Sequence, residues 1–107
     1  MNSQLKKGVL EICILKLLEK QDCYGYEMIC GLQADFPGTE ESTLYAILRR
    51  MNREEYTEVY HRESTSGPGR KYYRITDHGR KYLEAQTSDL HALYDIAKKY
   101  ELFKVKN

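Results

Sequence analysis

The sequence predicts a mainly α-helical α+β fold in which three helices are followed by a small β-hairpin and one long C-terminal helix. Three observations support this prediction. Apolar residues recur at helical spacing in three segments before residue 54, two β-prone segments flank a glycine-rich turn, and another helical pattern runs from residue 77 onward. A chain of 107 residues has room for one core. We expect one folded unit over residues 1–76 and a terminal helical segment over residues 77–107.

Helix one is predicted over residues 2–20, where apolar residues recur at the i, i+3, i+4 spacing of an amphipathic helix. This stripe consists of Leu10, Cys13, Ile14, Leu17 and Leu18. A second apolar flank consists of Leu5, Val9, Ile12 and Leu15. Two flanks indicate a helix that is covered on two sides, by its own domain and by a partner.

Helices two and three complete the helical part of the folded unit. Helix two is predicted over residues 24–36, because Pro37-Gly38 is a helix-stop signal. Helix three is expected to begin at Thr39 or Glu40, since threonine can cap a helix and glutamate suits the positive end of the helix dipole. Its buried face is predicted to consist of Leu44, Ile47, Leu48 and Met51.

A β-hairpin and a long helix follow. Strands are predicted over residues 57–64 and 70–76, which are rich in β-prone residues, with a turn over residues 65–69. Asp77 is the expected N-cap of a helix that continues to about Phe103. A heptad-like seam on a terminal helix usually requires a partner. Here the seam consists of Leu83, Gln86, Leu90, Leu93, Ala97 and Tyr100.

The composition is that of a soluble globular protein, with 41% hydrophobic and 31% charged residues. No apolar run approaches the roughly 20 residues that a membrane span needs, and the N-terminal stretch does not read as a signal peptide, so a cytoplasmic protein is expected. Cys13, Cys23 and Cys30 form no CxxC pair and indicate a reducing compartment, with redox sensing as a minor hypothesis. The net charge of +1 neither favours nor excludes a polyanionic partner.

Three compact helices followed by a hairpin are the layout of a winged helix-turn-helix, whose third helix lies in the DNA major groove. Small residues on that helix would let it approach base edges, and arginines would supply bidentate donors. The positions opposite the buried face of helix three are Ser42, Ala46, Arg49 and Arg53, flanked at phosphate-contacting angles by Thr43, Tyr45 and Arg50. An ordinary solvated helix face is the alternative interpretation.

The hairpin is the second predicted DNA contact. Residues 67–81 carry five basic residues against one acidic residue. We expect Arg70, Lys71 and Arg74 to form a wing that reaches the DNA backbone or minor groove. A surface hairpin whose charges serve solubility is the alternative.

No feature of the sequence indicates an enzyme. The histidines His61, His78 and His91 are scattered, and no catalytic, metal-ligand or phosphate-binding spacing is recognisable. No metal ion and no cofactor are therefore expected.

Four segments carry a further signal in their order and spacing. They are Gln4-Leu5-Lys6-Lys7-Gly8, Tyr24-Gly25-Tyr26-Glu27, Thr43-Leu44-Tyr45 with Leu48-Arg49-Arg50, and Gly67-Pro68-Gly69-Arg70-Lys71-Tyr72-Tyr73-Arg74-Ile75-Thr76 with Gly79. In these segments the chain resembles the PadR family of bacterial transcriptional regulators, in particular its short members with a single C-terminal helix. Gly25 would permit close helix packing, and Tyr73 and Ile75 would alternate onto the inner face of the hairpin.

The resemblance implies a homodimeric repressor that binds double-stranded DNA at a near-palindromic operator, often beside its own gene, and releases it when a small hydrophobic or aromatic effector binds. Family members pair through the last helix packed on the partner's first helix. The matching dimer positions are Leu5, Val9, Ile12, Leu83, Leu90, Leu93, Ala97 and Tyr100. The matching effector positions are Ile12, Leu90 and Tyr94, for which plain dimer packing is an equally open interpretation.

Two positions depart from the family pattern. Glu55 stands where the family usually ends helix three with a left-handed glycine, which costs about 1 kcal/mol or redirects the chain. Leu90 stands where drug-binding relatives carry a tryptophan, so stacking on an effector would have to come from tyrosines such as Tyr94 and Tyr100.

One alternative function keeps the same fold. A protein-interaction module would bind a partner protein through the last helix and have no DNA role. Salt-dependent DNA affinity would distinguish the two, because phosphate contacts weaken steeply as salt rises.

Overall fold

Four helices and a three-stranded antiparallel sheet make up the fold in the computed structural model, which describes residues 3–64 and 67–104. In chain order the elements are α1 (Ser3–Lys20), β1 (Cys23–Tyr24), α2 (Gly25–Asp35), α3 (Glu41–Arg53), β2 (Thr57–Ser64), β3 (Gly67–Ile75) and α4 (Asp77–Lys99). The predicted α+β architecture is confirmed. The expected helix start at Asn2 and the turn residues Thr65 and Ser66 lie outside the described residues. None of the described helices is long and apolar enough to cross a membrane.

One core joins α1, α2 and α3 with the sheet and the beginning of α4. Its buried side chains are Leu10, Ile14, Leu15, Leu18, Met28, Ile29, Leu32, Leu44, Ile47, Leu48, Met51, Tyr73, Ile75 and Leu83. The predicted buried face of α3 is confirmed, whereas Leu17 of the predicted α1 stripe is 39% exposed. The pattern placed Leu15 and Leu83 on partner-facing sides. Both are instead core residues of their own chain, because α1 packs against α4.

The sheet has the strand order β1-β3-β2, with both pairs antiparallel. The sequence pattern does not reveal β1, because two residues are too few to show an alternation of polar and apolar side chains. This strand pairs Cys23 with Tyr73 and Tyr24 with Tyr72. Tyr73 is buried on the inner face, as predicted. Gly25 permits this packing, because a Cβ atom there would lie 2.8 Å from Cε1 of Tyr73.

The ends of α3 differ in how well they are capped. Glu40 is the N-cap, one of the two expected starts, but its side chain makes no capping hydrogen bond. After α3, Glu55 adopts φ 64°, the left-handed conformation for which glycine is the usual residue. The departure at Glu55 therefore appears as a strained backbone, which costs about 1 kcal/mol, and the chain still enters β2 at Thr57.

The N-terminus of α4 is capped by Thr76, one residue before the predicted Asp77. The Thr76 hydroxyl accepts a hydrogen bond from the backbone N–H of Gly79 at 2.9 Å. Gly79 is required for close packing, because a Cβ atom there would lie 2.1 Å from the carbonyl oxygen of Tyr56. These contacts fix the direction in which α4 leaves the hairpin.

The C-terminal end of α4 comes earlier than predicted. The helix ends at Lys99 instead of near Phe103, with Tyr100 as C-cap and Glu101 at φ 57°. Its start coincides with the expected boundary at residue 77, and Leu83 ties the first turns to the core. The division into units 1–76 and 77–107 stays a prediction.

Candidate nucleic-acid interface

The outer face of α3 is open to solvent. Its exposed residues are Ser42, Thr43, Ala46, Arg49 and Arg53, as their angles around the helix predict. The opposite side is anchored in the core, so this face is the one that the helix exposes to solvent. Small side chains flanked by two guanidinium groups can approach base edges and donate hydrogen bonds to bases or phosphates.

Tyr45 lies at the edge of this face and is half-buried against the core. Burial, and then the nearby carboxylate of Glu41, raises the pKa of its phenol. The hydroxyl therefore stays protonated throughout the physiological pH range. It can act as a hydrogen-bond donor toward a phosphate oxygen.

The wing adjoins α3 at Tyr45. A groove of about 290 Å³ is lined by Tyr45 of α3, by Tyr24 and Tyr26, and by Gly69, Arg70 and Lys71 of β3. Arg70 and Lys71 are exposed on this side of the hairpin. The edge of α3 and the basic part of the wing thus meet at one groove.

Arg50 lines the same cleft as Thr43 and Ala46, but it is half-buried and has a partner within the chain. Its guanidinium Nη2 donates to Oε1 of Glu11 on α1, and the two side chains are 29% and 12% exposed. The hydroxyl of Tyr82 donates to the other carboxylate oxygen at 3.3 Å. The helical angle placed Arg50 beside the outer face, but a carboxylate buried in the core draws the side chain inward.

Arg74 is also committed to a partner within the chain. Its Nε donates to Oε2 of Glu58 on the neighbouring strand at 3.3 Å, and its guanidinium lies 4.8 Å from the ring centre of Tyr60. Arg70 and Lys71 are therefore better placed than Arg74 to meet a polyanion.

Three tyrosines form a row across the outer face of the sheet, one from each strand. The ring centres of Tyr24 and Tyr72 are 5.9 Å apart, and those of Tyr72 and Tyr60 are 5.8 Å apart. The guanidinium of Arg62 lies 4.2 Å from the ring centre of Tyr72, and that of Arg70 lies 4.9 Å from the ring centre of Tyr24. Arg62 is not among the predicted site residues, and its position opposite Arg70 becomes evident only from the register of β2 and β3.

A second basic element adjoins α3 from α1. Lys6 and Lys7 line a cleft of about 600 Å³ together with Thr43 and Ala46 of the outer face. No site role is predicted for these lysines, because they are far from α3 in the sequence and approach it only in the folded chain. They extend the cationic surface beyond the N-terminal half of α3.

The second half of α4 leaves large apolar side chains in solvent. Leu90, Leu93, Tyr94, Ile96 and Tyr100 are between 39% and 69% exposed, and Leu5 and Val9 of α1 are 76% and 36% exposed. Ile12 and Ala97 are half-buried. Of the predicted dimer positions, Leu83 alone is fully covered by its own chain. An effector cavity at Ile12, Leu90 and Tyr94 would need a second protomer to enclose it.

The cysteines and the acidic groups form no further site. Cys13 and Cys23 are half-buried, Cys30 is exposed, and all three are free thiols. The Cys23 thiol donates to the carbonyl oxygen of Gln21 at 3.4 Å. Within residues 3–64 and 67–104, no group of three or more His, Cys, Asp or Glu side chains is placed to hold a metal ion.

Comparison with known proteins relates this chain to transcriptional regulators. Residues 14–85 match the transcriptional regulator PadR-like family. An uncharacterized protein of Lysinibacillus sphaericus is 38% identical over 84 residues, which cover 76% of this chain and 77% of that protein. The crystal structure of a PadR-like transcriptional regulator from Bacillus cereus has a TM-score of 0.81 at 35% identity, covering 97% of this chain and 100% of that chain. A PadR family transcription regulator from Clostridium difficile has a TM-score of 0.76 at 30% identity, covering 85% and 96%.

Proposed function

Because this chain belongs to the PadR-like family of transcriptional regulators, we propose that it is a homodimeric repressor that inserts α3 into the major groove of a near-palindromic operator. The family and the similar structures are transcriptional regulators and not enzymes. The observation that carries the proposal is the groove at Tyr45, where the outer face of α3 and the cations Arg70 and Lys71 meet. A surface of this shape can engage a groove and its flanking phosphates together.

The proposed DNA contacts fall into two groups. Ser42, Ala46 and Arg49 on the outer face of α3 would meet base edges. Backbone contacts would come from Thr43, Tyr45, Arg53, Arg70 and Lys71, with Lys6 and Lys7 added from α1. Arg50 and Arg74 remain further candidates for backbone contacts, although each already pairs with a carboxylate of its own chain, Glu11 and Glu58.

The proposed dimer pairs the apolar part of α4 with α1 of the second protomer. Leu93 and Tyr100 are 62% and 69% exposed, and Leu5 of α1 is 76% exposed. A two-fold axis would bury each of these residues twice and would present two α3 helices to two half-sites. An aromatic effector would bind beside Ile12, Leu90 and Tyr94, where stacking would come from tyrosine because the chain has no tryptophan.

DNA binding by the purified protein tests the proposal. Fluorescence anisotropy is measured with the duplex immediately upstream of its gene and with a scrambled duplex. If both bind equally, preferred sequences are selected from a pool of randomised duplexes. We expect preference for one sequence and a log–log salt slope of about −5 to −9, which corresponds to roughly 6 to 10 phosphate contacts per dimer. If the protein shows no sequence preference with the upstream duplex, the scrambled duplex or the randomised pool, the result would favour the protein-interaction module.

Three substitutions test which residues contact phosphates and which contact bases. Arg70→Ala is expected to reduce the magnitude of the salt slope by about 2, since each protomer loses one phosphate contact. Arg49→Ala is expected to reduce the preference for the operator over the scrambled duplex. Lys20→Ala, which removes the same charge from the exposed end of α1, serves as the control and should leave slope and preference unchanged.

A further inference from the structure

A carboxylate from α1 lies buried between α3 and α4. Glu11 is the one charged residue in the buried class among the described residues. One of its oxygens accepts from Arg50 of α3, and the other accepts from the Tyr82 hydroxyl of α4 at 3.3 Å. The same side chain is therefore bonded to the helix proposed to read DNA and to the helix proposed to form the dimer.

Tyr82 also contacts the end of α3 by a second route. Its ring stacks on the ring of Tyr56, with centres 4.0 Å apart and planes inclined by 11°. Tyr56 directly follows the α3 turn, and its backbone N–H donates to the carbonyl of Met51 in α3 at 2.9 Å. Tyr82 is thus linked to the C-terminal half of α3 twice, to Arg50 through Glu11 and to the helix end through Tyr56.

The energetics favour a positional role for this cluster. Burying an ion pair adds little stability, because the desolvation of both charges offsets their attraction, and apolar replacements are often as stable. Arg50 is adjacent in sequence to Arg49 of the outer face. A rotation of α3 by about 20° would move an atom about 6 Å from the helix axis by about 2 Å. Such a shift is enough to break a hydrogen bond to a base.

We propose that Glu11 is a positioning residue for DNA recognition, which transmits the orientation of α4 to α3 by binding Tyr82 and Arg50 with its two oxygens. The inference rests on the proposed function, since it assumes that α3 reads DNA. A change in α4 packing at the dimer centre would rotate α3 through this connection.

Removal of one hydroxyl tests the connection. Tyr82→Phe keeps the ring stack on Tyr56 but deletes the bond to Glu11. The control is Tyr60→Phe, which deletes another tyrosine–carboxylate hydrogen bond, the one to Asp22 at 2.6 Å. We expect Tyr82→Phe to lower the ratio of operator to scrambled affinity about five- to tenfold, with an unchanged salt slope and unchanged dimer dissociation constant. The control should keep the wild-type ratio.

The same preference for the operator is measured for Glu11→Gln, both alone and combined with Tyr82→Phe in a double-mutant cycle. If both residues act through one connection, the double variant loses no more preference than Glu11→Gln alone. If the wild-type protein prefers the operator and Tyr82→Phe keeps the same ratio of operator to scrambled affinity, the inference is overturned and the proposed function stands. A reduced salt slope in Tyr82→Phe would also overturn it, because phosphate contacts would then be affected. A wild-type protein without any sequence preference would overturn the proposed function itself.

Discussion

The hydroxyl of Thr76 donates a hydrogen bond to the backbone carbonyl of Glu55 at 2.7 Å. The same hydroxyl accepts the N–H of Gly79 and so caps α4. One side chain therefore joins the turn after α3 to the start of α4.

Replacement of Thr76 should weaken this junction. Thr76→Val keeps the shape but removes both hydrogen bonds, so we expect the free energy of unfolding to fall by about 1–2 kcal/mol. Urea denaturation at fixed protomer concentration measures the change. Thr76→Ser should recover most of the loss, and Thr87→Val at an exposed position of α4 should change little. Equal losses at positions 76 and 87 would contradict the capping role.

Glycine at position 55 should stabilise the protein. Glu55 holds φ at 64°, which costs a residue with a side chain about 1–2 kcal/mol. Since glycine also gains freedom in the unfolded chain, the expected net gain for Glu55→Gly is about 0.5–1 kcal/mol. Thermal unfolding measures it. Glu54→Gly, at φ −80°, is the matched control and should not stabilise. A loss of stability at position 55 would refute the strain argument.

The two glycines Gly79 and Gly31 should respond in opposite directions to alanine. A Cβ atom at Gly79 would meet the carbonyl oxygen of Tyr56 at 2.1 Å, whereas nothing lies within 4 Å of one at Gly31 in α2. We expect Gly79→Ala to cost more than about 2 kcal/mol, since backbone must move. Gly31→Ala should gain about 0.5–1 kcal/mol of helix propensity. Chemical denaturation of both variants tests the contrast, and tolerance of Gly79→Ala would contradict it.

A charge on the apolar part of α4 should abolish the proposed dimer. Leu93 is 62% exposed, and its replacement by glutamate would place a carboxylate in the interface at both symmetry-related positions. We expect Leu93→Glu to raise the dimer dissociation constant by at least about 100-fold in sedimentation equilibrium. Leu17→Glu, on a residue that is 39% exposed outside the proposed interface, should remain dimeric. A dimeric Leu93→Glu would place the interface elsewhere.

The three thiols should differ in reactivity. Burial, and then the charge of Asp35, raises the pKa of the Cys13 thiol. Burial likewise raises the pKa of Cys23. Because a raised pKa lowers the thiolate fraction at neutral pH, Cys13 and Cys23 should alkylate slowly and Cys30, which is exposed, first. Mass spectrometry after timed iodoacetamide treatment gives the order. Faster labelling of Cys13 in the folded protein would contradict it.

The sequence predicts α3 well, because its large apolar residues recur at one angle and its outer face carries only small, polar or basic residues. The hairpin follows from β-prone residues on both sides of a glycine-rich turn. These features are local, so a single sequence reveals them. The exposed residues Ser42, Ala46, Arg49 and Arg53 follow from the same periodicity.

The parts that the sequence could not predict depend on contacts between distant residues. Glu11 and Arg50 form their ion pair across two helices, and nothing near either position in the sequence announces it. Apolar periodicity also cannot tell a helix face that covers its own core from one that covers a partner. Leu83 continues the seam of Leu90 and Leu93, yet it is 3% exposed while Leu93 is 62% exposed.

The burial of Leu83 also divides α4 into two regions of different local stability. Because Leu83 is anchored in the core, we expect amides near it to exchange with solvent only when the core opens. Amides beyond Leu90 belong to a short helical segment with exposed side chains, which is only marginally stable in a single chain. If that segment gains protection by pairing with a second chain, its hydrogen-exchange rates will fall as protein concentration rises. Ordering of the terminal half-helix and association are then a single event. Protein concentration would then set how many molecules hold two α3 helices, which we propose to read DNA, at a fixed spacing.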